Sequence, residues 1–137
     1  MKKLLFFFSI SLTLLSSCQR SFDEKCQLEA LKETQTKCPR EITPGITCDS
    51  IHYDTTIRSM IYYYTMSDEY DNPSTIAAGK DKFNDALRNQ IINSIELKKY
   101  KENGVGFRYV YFSKSTHYVL LDLHYTPKDY QYTQIGH

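Results

Sequence analysis

The sequence predicts an α+β domain: a four-stranded antiparallel sheet with two helices packed on one face, built as a tandem αββ repeat. Three observations carry this. Apolar residues recur at helical spacing in one long segment, and four other segments have strand character between turn residues. A displacement of 59 residues also brings the two halves of the chain into line. Gly45-Ile46 then falls on Gly104-Val105, Ile51 on Val110, Tyr53 on Phe112, Thr56 on Ser115, and Met60-Ile61 on Val119-Leu120. Each half reads helix, strand, strand, and placing both helices on one face closes a single core. The 12 tyrosines and 7 phenylalanines, with no tryptophan, suit this layout. A tyrosine buries its ring while its hydroxyl meets water, as a half-wet sheet requires.

The elements follow in order. Asp23 to Lys37 is rich in helix formers (Glu24, Leu28, Glu29, Ala30, Leu31, Lys32, Glu33), and Pro39 stops the helix. Pro44-Gly45 is a turn. Ile46 to Asp54 and Ile57 to Met66 read as two strands joined tightly at Asp54-Thr55-Thr56. Ser67 to Pro73 is a polar loop, and Pro73 suits the first turn of a second helix. That helix carries Ile76, Phe83, Leu87, Ile91 and Ile95 as its core stripe and ends at Asn103-Gly104. Val105 to Phe112 and Thr116 to Thr126 are the last two strands, turning at residues 113–115, and the chain after Pro127 frays. Strand alternation assigns Ile51, Tyr53, Met60, Tyr62, Tyr64, Val110, Phe112, Val119, Leu121 and Leu123 to the helix-covered face.

Composition excludes one large class. The chain has 17 basic and 16 acidic residues, and two of the bases, Lys2 and Lys3, lie in an amino-terminal targeting segment. What remains is nearly neutral, without the basic excess that nucleic-acid binding needs. Lys2-Lys3 followed by the apolar run Leu4 to Leu15 has the layout of a secretory signal, and the run is too short for a helix to cross a bilayer. Leu15-Ser16-Ser17-Cys18 resembles the lipobox of bacterial lipoproteins. The resemblance implies a signal peptide over residues 1–17, cleavage before Cys18, a diacylglyceryl group on the Cys18 sulfur and acylation of the new amino terminus with chains such as palmitate. Several acyl chains make a lasting anchor. Residues 18–24 form the lipidated tether, 25–127 the α+β domain and 128–137 the carboxy-terminal tail. Gln19, standing where an aspartate retains some lipoproteins in the inner membrane, implies the outer membrane by analogy. Asp23 and Glu24 resemble acidic surface-export signals. Behind the anchor, the chain resembles small αββ-repeat lipoproteins, a likeness of layout that brings no activity with it.

Cys26, Cys38 and Cys48 remain in what this location makes an oxidising compartment. On a continuous helix Cys26 and Cys38 lie roughly 18 Å apart along the axis, too far for a bridge. Either Cys38 with Cys48 or Cys26 with Cys48 can form a disulfide. None of the cysteines has the spacing of a metal motif or a histidine setting for nucleophilic catalysis.

The uncovered face is expected to show Ser50, His52, Ser59, Ile61, Tyr63, Thr65, Tyr109, Tyr111, Tyr118, Leu120, Asp122 and His124. Tyr63, Tyr109, Tyr111 and Tyr118 would supply aromatic contact and His52 and His124 polar contact to an envelope protein or glycan. Such a surface predicts a non-enzymatic binding module on the membrane. Asp122 and His124, two residues apart on one strand, offer an alternative acid/base site of a hydrolase or accessory subunit. They are too few for a metal centre. A purely structural lipoprotein is the third reading. The chain has no catalytic or cofactor motif, so no catalytic residue and no cofactor are assigned.

Overall fold

The computed structural model describes residues 21–131; the signal segment, the lipobox with Cys18 and residues 132–137 lie outside them. Helix α1 (Phe22–Lys37) starts where Ser21 accepts a hydrogen bond from the Glu24 amide at 3.2 Å. Asp23 and Glu24 then sit in the first turn and Lys37 in the last, each favourably placed in the helix dipole. The helix ends at Cys38, whose amide still donates to Thr34, because Pro39 cannot continue it.

The sheet has five strands, β1 (Arg40–Thr43), β2 (Ile46–Asp54), β3 (Ser59–Met66), β4 (Gly106–Ser113) and β5 (Val119–Tyr125), side by side in chain order. The expected four strands are all present, and β1 is an addition. It is a short exposed edge that folds back on β2 through Gly45, whose φ of +88° suits glycine. Antiparallel pairing holds throughout except between β3 and β4, which are parallel. The wholly antiparallel expectation is corrected by chain geometry. A long helical connection carries the chain back to the end where β3 began, and strands joined by such a crossover run parallel.

That connection begins with helix α2 (Pro73–Asn93), capped by Asn72, which accepts from the amides of Ser74 and Thr75 at 2.9 and 3.3 Å. It is shorter than the sequence suggests. A second, five-residue helix α3 (Lys98–Glu102) follows after a break, and the Lys101 ammonium donates to the carbonyls of Ile91 and Ile92 at 2.8 Å each. The lysine thereby satisfies carbonyls that a continued helix would have used. Leu87 and Ile91 are buried as expected, whereas Ile95, past the break, is 85% exposed and leaves the core stripe. Leu97 and Tyr100 pack against the core instead. The chain after Pro127 also departs from expectation. Helix α4 (Pro127–Tyr130) opens with a capping box at Thr126 and Asp129, and Tyr130 is buried with its hydroxyl donating to Val105 at 2.9 Å. The domain therefore runs from the first turn of α1 through α4.

Strand β4 is assigned to the opposite parity from the one its sequence suggests. In the β3–β4 register Met60 lies beside Phe107, Tyr62 beside Tyr109 and Tyr64 beside Tyr111, so Tyr109 and Tyr111 face the helices. They are 7% and 3% exposed. Val110 and Phe112, expected inside, lie on the open face, as does Val119. From Tyr109 to Phe112 both alternating sets are apolar or aromatic, so the alternation of these four residues does not choose between the faces. The same slip breaks the register of the proposed repeat. A 59-residue offset matches helix-facing Tyr53 and Met60 with open-face Phe112 and Val119. The two halves share a helix–strand–strand layout without sharing equivalent positions.

Beneath the helices, tyrosines from adjacent strands stack in a row. Tyr62 and Tyr109 lie 5.0 Å apart at 9°, and Tyr64 and Tyr111 4.7 Å apart at 11°. Phe83 from α2 meets Tyr111 edge-on at 5.2 Å. Burial raises the phenol pKa of all four tyrosines, so they stay neutral in physiological buffers.

Candidate functional site: the open face of the sheet

Among the described residues the four helices pack from one side, and none of them covers the other face of the sheet. Its centre is built from Ile61 on β3 and Val110 on β4, each 5% exposed although none of the four described helices covers them. Larger neighbours close over them. Tyr63 is paired directly with Val110 across the parallel register and stacks on Phe112 at 6.2 Å. On its other side it meets the His52 ring edge-on at 5.5 Å. His52, Tyr63 and Phe112 thus form an aromatic row across three strands, over an aliphatic floor. Tyr118, in the turn leading to β5, is 77% exposed.

The predicted binding residues therefore separate into two groups. His52, Tyr63 and His124 occupy the open face, and Tyr118 stands in the turn beside the start of β5. Tyr109 and Tyr111 do not belong there, because the β4 parity buries them under the helices. Val110 and Phe112 take their places, and sequence reasoning missed both. Arg108 was the signal that could have found them. A charged residue in the middle of a buried strand belongs on the wet side, and residues 110 and 112 share its side.

Arg108 also decides what Asp122 can do. Its Nε and one Nη donate to the two carboxylate oxygens of Asp122 at 2.9 and 2.6 Å. That fork holds the Asp122 carboxyl below its usual pKa. Among the described residues no hydrogen bond joins Asp122 to His124. Instead the Nε2 of His124 lies 2.9 Å from the Ser59 hydroxyl, over Gly106. A serine, a histidine and an aspartate thus lie near one another without the geometry of a nucleophilic relay. Ser59 is fully buried, with its hydroxyl also 3.1 Å from the Ile57 carbonyl, so no substrate carbonyl can approach it.

The carboxylates with clearly lowered pKa are held by hydrogen-bond partners. Asp23 is bound by Tyr53 and Arg58, Asp71 by Ser113 and Ser115, and Asp122 by Arg108. For Glu29 partial burial alone would raise the value, but Lys99 and Tyr100 outweigh it. A depressed folded-state pKa contributes stability above the unfolded carboxylate value of about 4, and this is lost as pH falls through the folded values. Thermal unfolding from pH 7 to pH 2 should show a level Tm that drops below about pH 4. Asp122→Asn should shrink the drop, and an identical acid profile would show that the Arg108 pair contributes nothing. The pair is more than a third exposed, so its share is small.

Among the described residues no group of three or more His, Cys, Asp or Glu side chains converges as a metal site would require. No helix among them is long and apolar enough to cross a membrane.

Comparison with known proteins agrees with this picture at the level of fold. The structure is similar to a crystal structure from Pseudomonas aeruginosa described as a candidate secreted protein. The two superpose with a TM-score of 0.67 at 12% identity, over 81% of this chain and 98% of that one. No curated protein matches the sequence. Residues 21–121 match the model of the family described as Domain of unknown function (DUF8479), and the chain belongs to that family.

Proposed function

We propose that the protein is a lipid-anchored extracytoplasmic module that holds a protein partner on the open face of its sheet and performs no chemistry itself. The observation that carries this reading is the aromatic row His52–Tyr63–Phe112 lying over buried Ile61 and Val110, on the face opposite the four described helices. Aromatic rings over an aliphatic floor are the composition of an interface core. Their placement on strands also means that little conformational freedom is left to lose on binding. Tyr118 and His124 would extend the contact towards the β5 edge.

The anchor gives this face an orientation. Lipidation at Cys18 would place the acyl chains three residues before Ser21, the cap of α1. Such a tether spans at most about 10 Å. The end of the domain holding the start of α1 and the turn at residues 55–58 would then lie close to the bilayer. The turns at residues 67–72 and 114–118 would point away from it, and Tyr118 with them. The fold shared with a protein described as a candidate secreted one supports export. Gln19 after the lipidated cysteine favours the outer membrane.

In-cell cross-linking of the full-length protein, with labelled palmitate in the medium, tests both parts. The native protein should carry the label and capture a protein, and Cys18→Ser should lose the label. The double variant Tyr63→Ser/Phe112→Ser should keep the label and a near-native Tm but lose the captured protein. Capture that persists in the double variant would remove this face from consideration. Purification with a bound glycan and no protein would change the class of partner.

A further inference from the structure

We propose that Cys38 and Cys48 are joined by a disulfide that ties the carboxy-terminal end of α1 to β2, while Cys26 stays a buried thiol. The inference rests on the extracytoplasmic location proposed above, which supplies the oxidising surroundings. The pairing itself comes from the fold. Cys38 caps α1, and two residues later Arg40 enters β1, where its register partner on β2 is Cys48. The Cys38 thiol is also among the groups that raise the pKa of Cys48. The junction is held from a second direction by Thr34 in the last turn of α1. Its hydroxyl donates to the Ile51 carbonyl and accepts from the Ile51 amide, both at 2.8 Å. The end of the helix is thereby docked on β2 before any covalent bond exists, which holds Cys38 beside the strand that carries Cys48.

Cys26 has no such neighbour. It lies near the start of α1, 1% exposed, among the charges of Asp23, Glu29, Arg58 and Lys99. The other end of a continuous helix, roughly 18 Å away, holds Cys38. The alternative pairing of Cys26 with Cys48 is thus replaced by Cys38 with Cys48.

The two sulfurs also differ in access. Cys48 is 4% exposed, and burial together with the adjacent Cys38 pushes its thiol up to about 12. Cys38 is half-buried and can be reached from solvent. The order of events follows. The Cys38 thiolate attacks the disulfide of a donor and forms a mixed disulfide, expelling one donor thiol. Cys48, losing its proton, then attacks the Cys38 sulfur and expels the second donor thiol. Two electrons and two protons pass from the protein to the donor, which leaves as a dithiol.

The test is to isolate the full-length protein from cells in an alkylating agent, digest it without reductant and identify its cysteine peptides by mass spectrometry. A second sample of purified, reduced protein is treated with oxidised glutathione first. A Cys38–Cys48 linked peptide in both samples, with Cys26 alkylated only after unfolding, is the expected result. Cys26→Ser should preserve the link, and reducing the native protein should lower its Tm by several degrees. A link seen only after oxidised glutathione would support the pairing and count against the extracytoplasmic location. Absence of the link from both samples, or a link containing Cys26, would overturn the proposal.

Discussion

Tyr111→Ser is expected to destabilise the domain by about 3–5 kcal/mol, the range for emptying a buried aromatic position. Tyr111 is 3% exposed, stacked on Tyr64 and met edge-on by Phe83 of α2. Serine would leave a cavity between the sheet and α2 and remove the ring on which Tyr64 stacks. Tyr63→Ser, next to Tyr64 on β3 and therefore on the other face, should cost no more than about 1 kcal/mol, the scale of an exposed cross-strand aromatic contact. Urea unfolding of the two variants side by side measures the difference. Equal stabilities would mean that β4 presents its tyrosines to solvent, and the face described here would have the wrong residues on it. The contrast also bears on the binding proposal, because lost binding in a Tyr109 or Tyr111 variant would report lost structure.

Gly106→Ala is expected to cost roughly 2–4 kcal/mol, from overpacking together with a broken hydrogen bond. Gly106 opens β4 beside Ser59, and an added Cβ would overlap the Ser59 hydroxyl. It would also lie 3.1 Å from both the Nε2 of His124 and the carbonyl oxygen of Tyr125. The serine is fully buried and cannot move aside without losing the His124 contact, and the carbonyl belongs to the backbone of β5. The effect should appear as a lower urea midpoint with an unchanged slope, since the denatured chain hardly differs. A variant as stable as the native protein would show that the Ser59–His124 contact is loose. That result would reopen the approach to the Ser59 hydroxyl.

Much of the fold is legible from local chemistry. Pro39, Pro44-Gly45 and Asn103-Gly104 end or turn elements where the backbone demands it, and the structure turns at each. Residues 76, 83, 87 and 91 keep their helical face because a single amphipathic stripe is a local pattern. β2, β3 and the part of β5 from Leu121 onward also keep their predicted faces, since polar residues such as His52, Thr65, Asp122 and His124 alternate with apolar ones there. The break after Asn93 is less legible. It depends on Lys101, eight residues on, reaching back to carbonyls that a longer helix would have bonded itself. β1 is legible only from its partner, because four exposed residues carry no pattern of their own.

The sequence by itself determined the α+β class, the strand segments, the start of each long helix and three members of the open-face set, His52, Tyr63 and His124. Each rests on interactions among residues close in the chain or on two-residue alternation with clear polarity. Tertiary structure alone decided the parallel junction of β3 with β4, and it fixed a parity of β4 that only Arg108 marks in the sequence. It also decided the pairing of Arg108 with Asp122 and placed Cys38, at the end of α1, beside the strand that carries Cys48. From Tyr109 to Phe112 the strand is apolar or aromatic on both sides, and Arg108 is its one charged marker of the wet side. For β4 the choice is made by what lies across from it: Tyr62, Tyr64 and Phe83 receive the tyrosines on one side, and Asp122 receives Arg108 on the other.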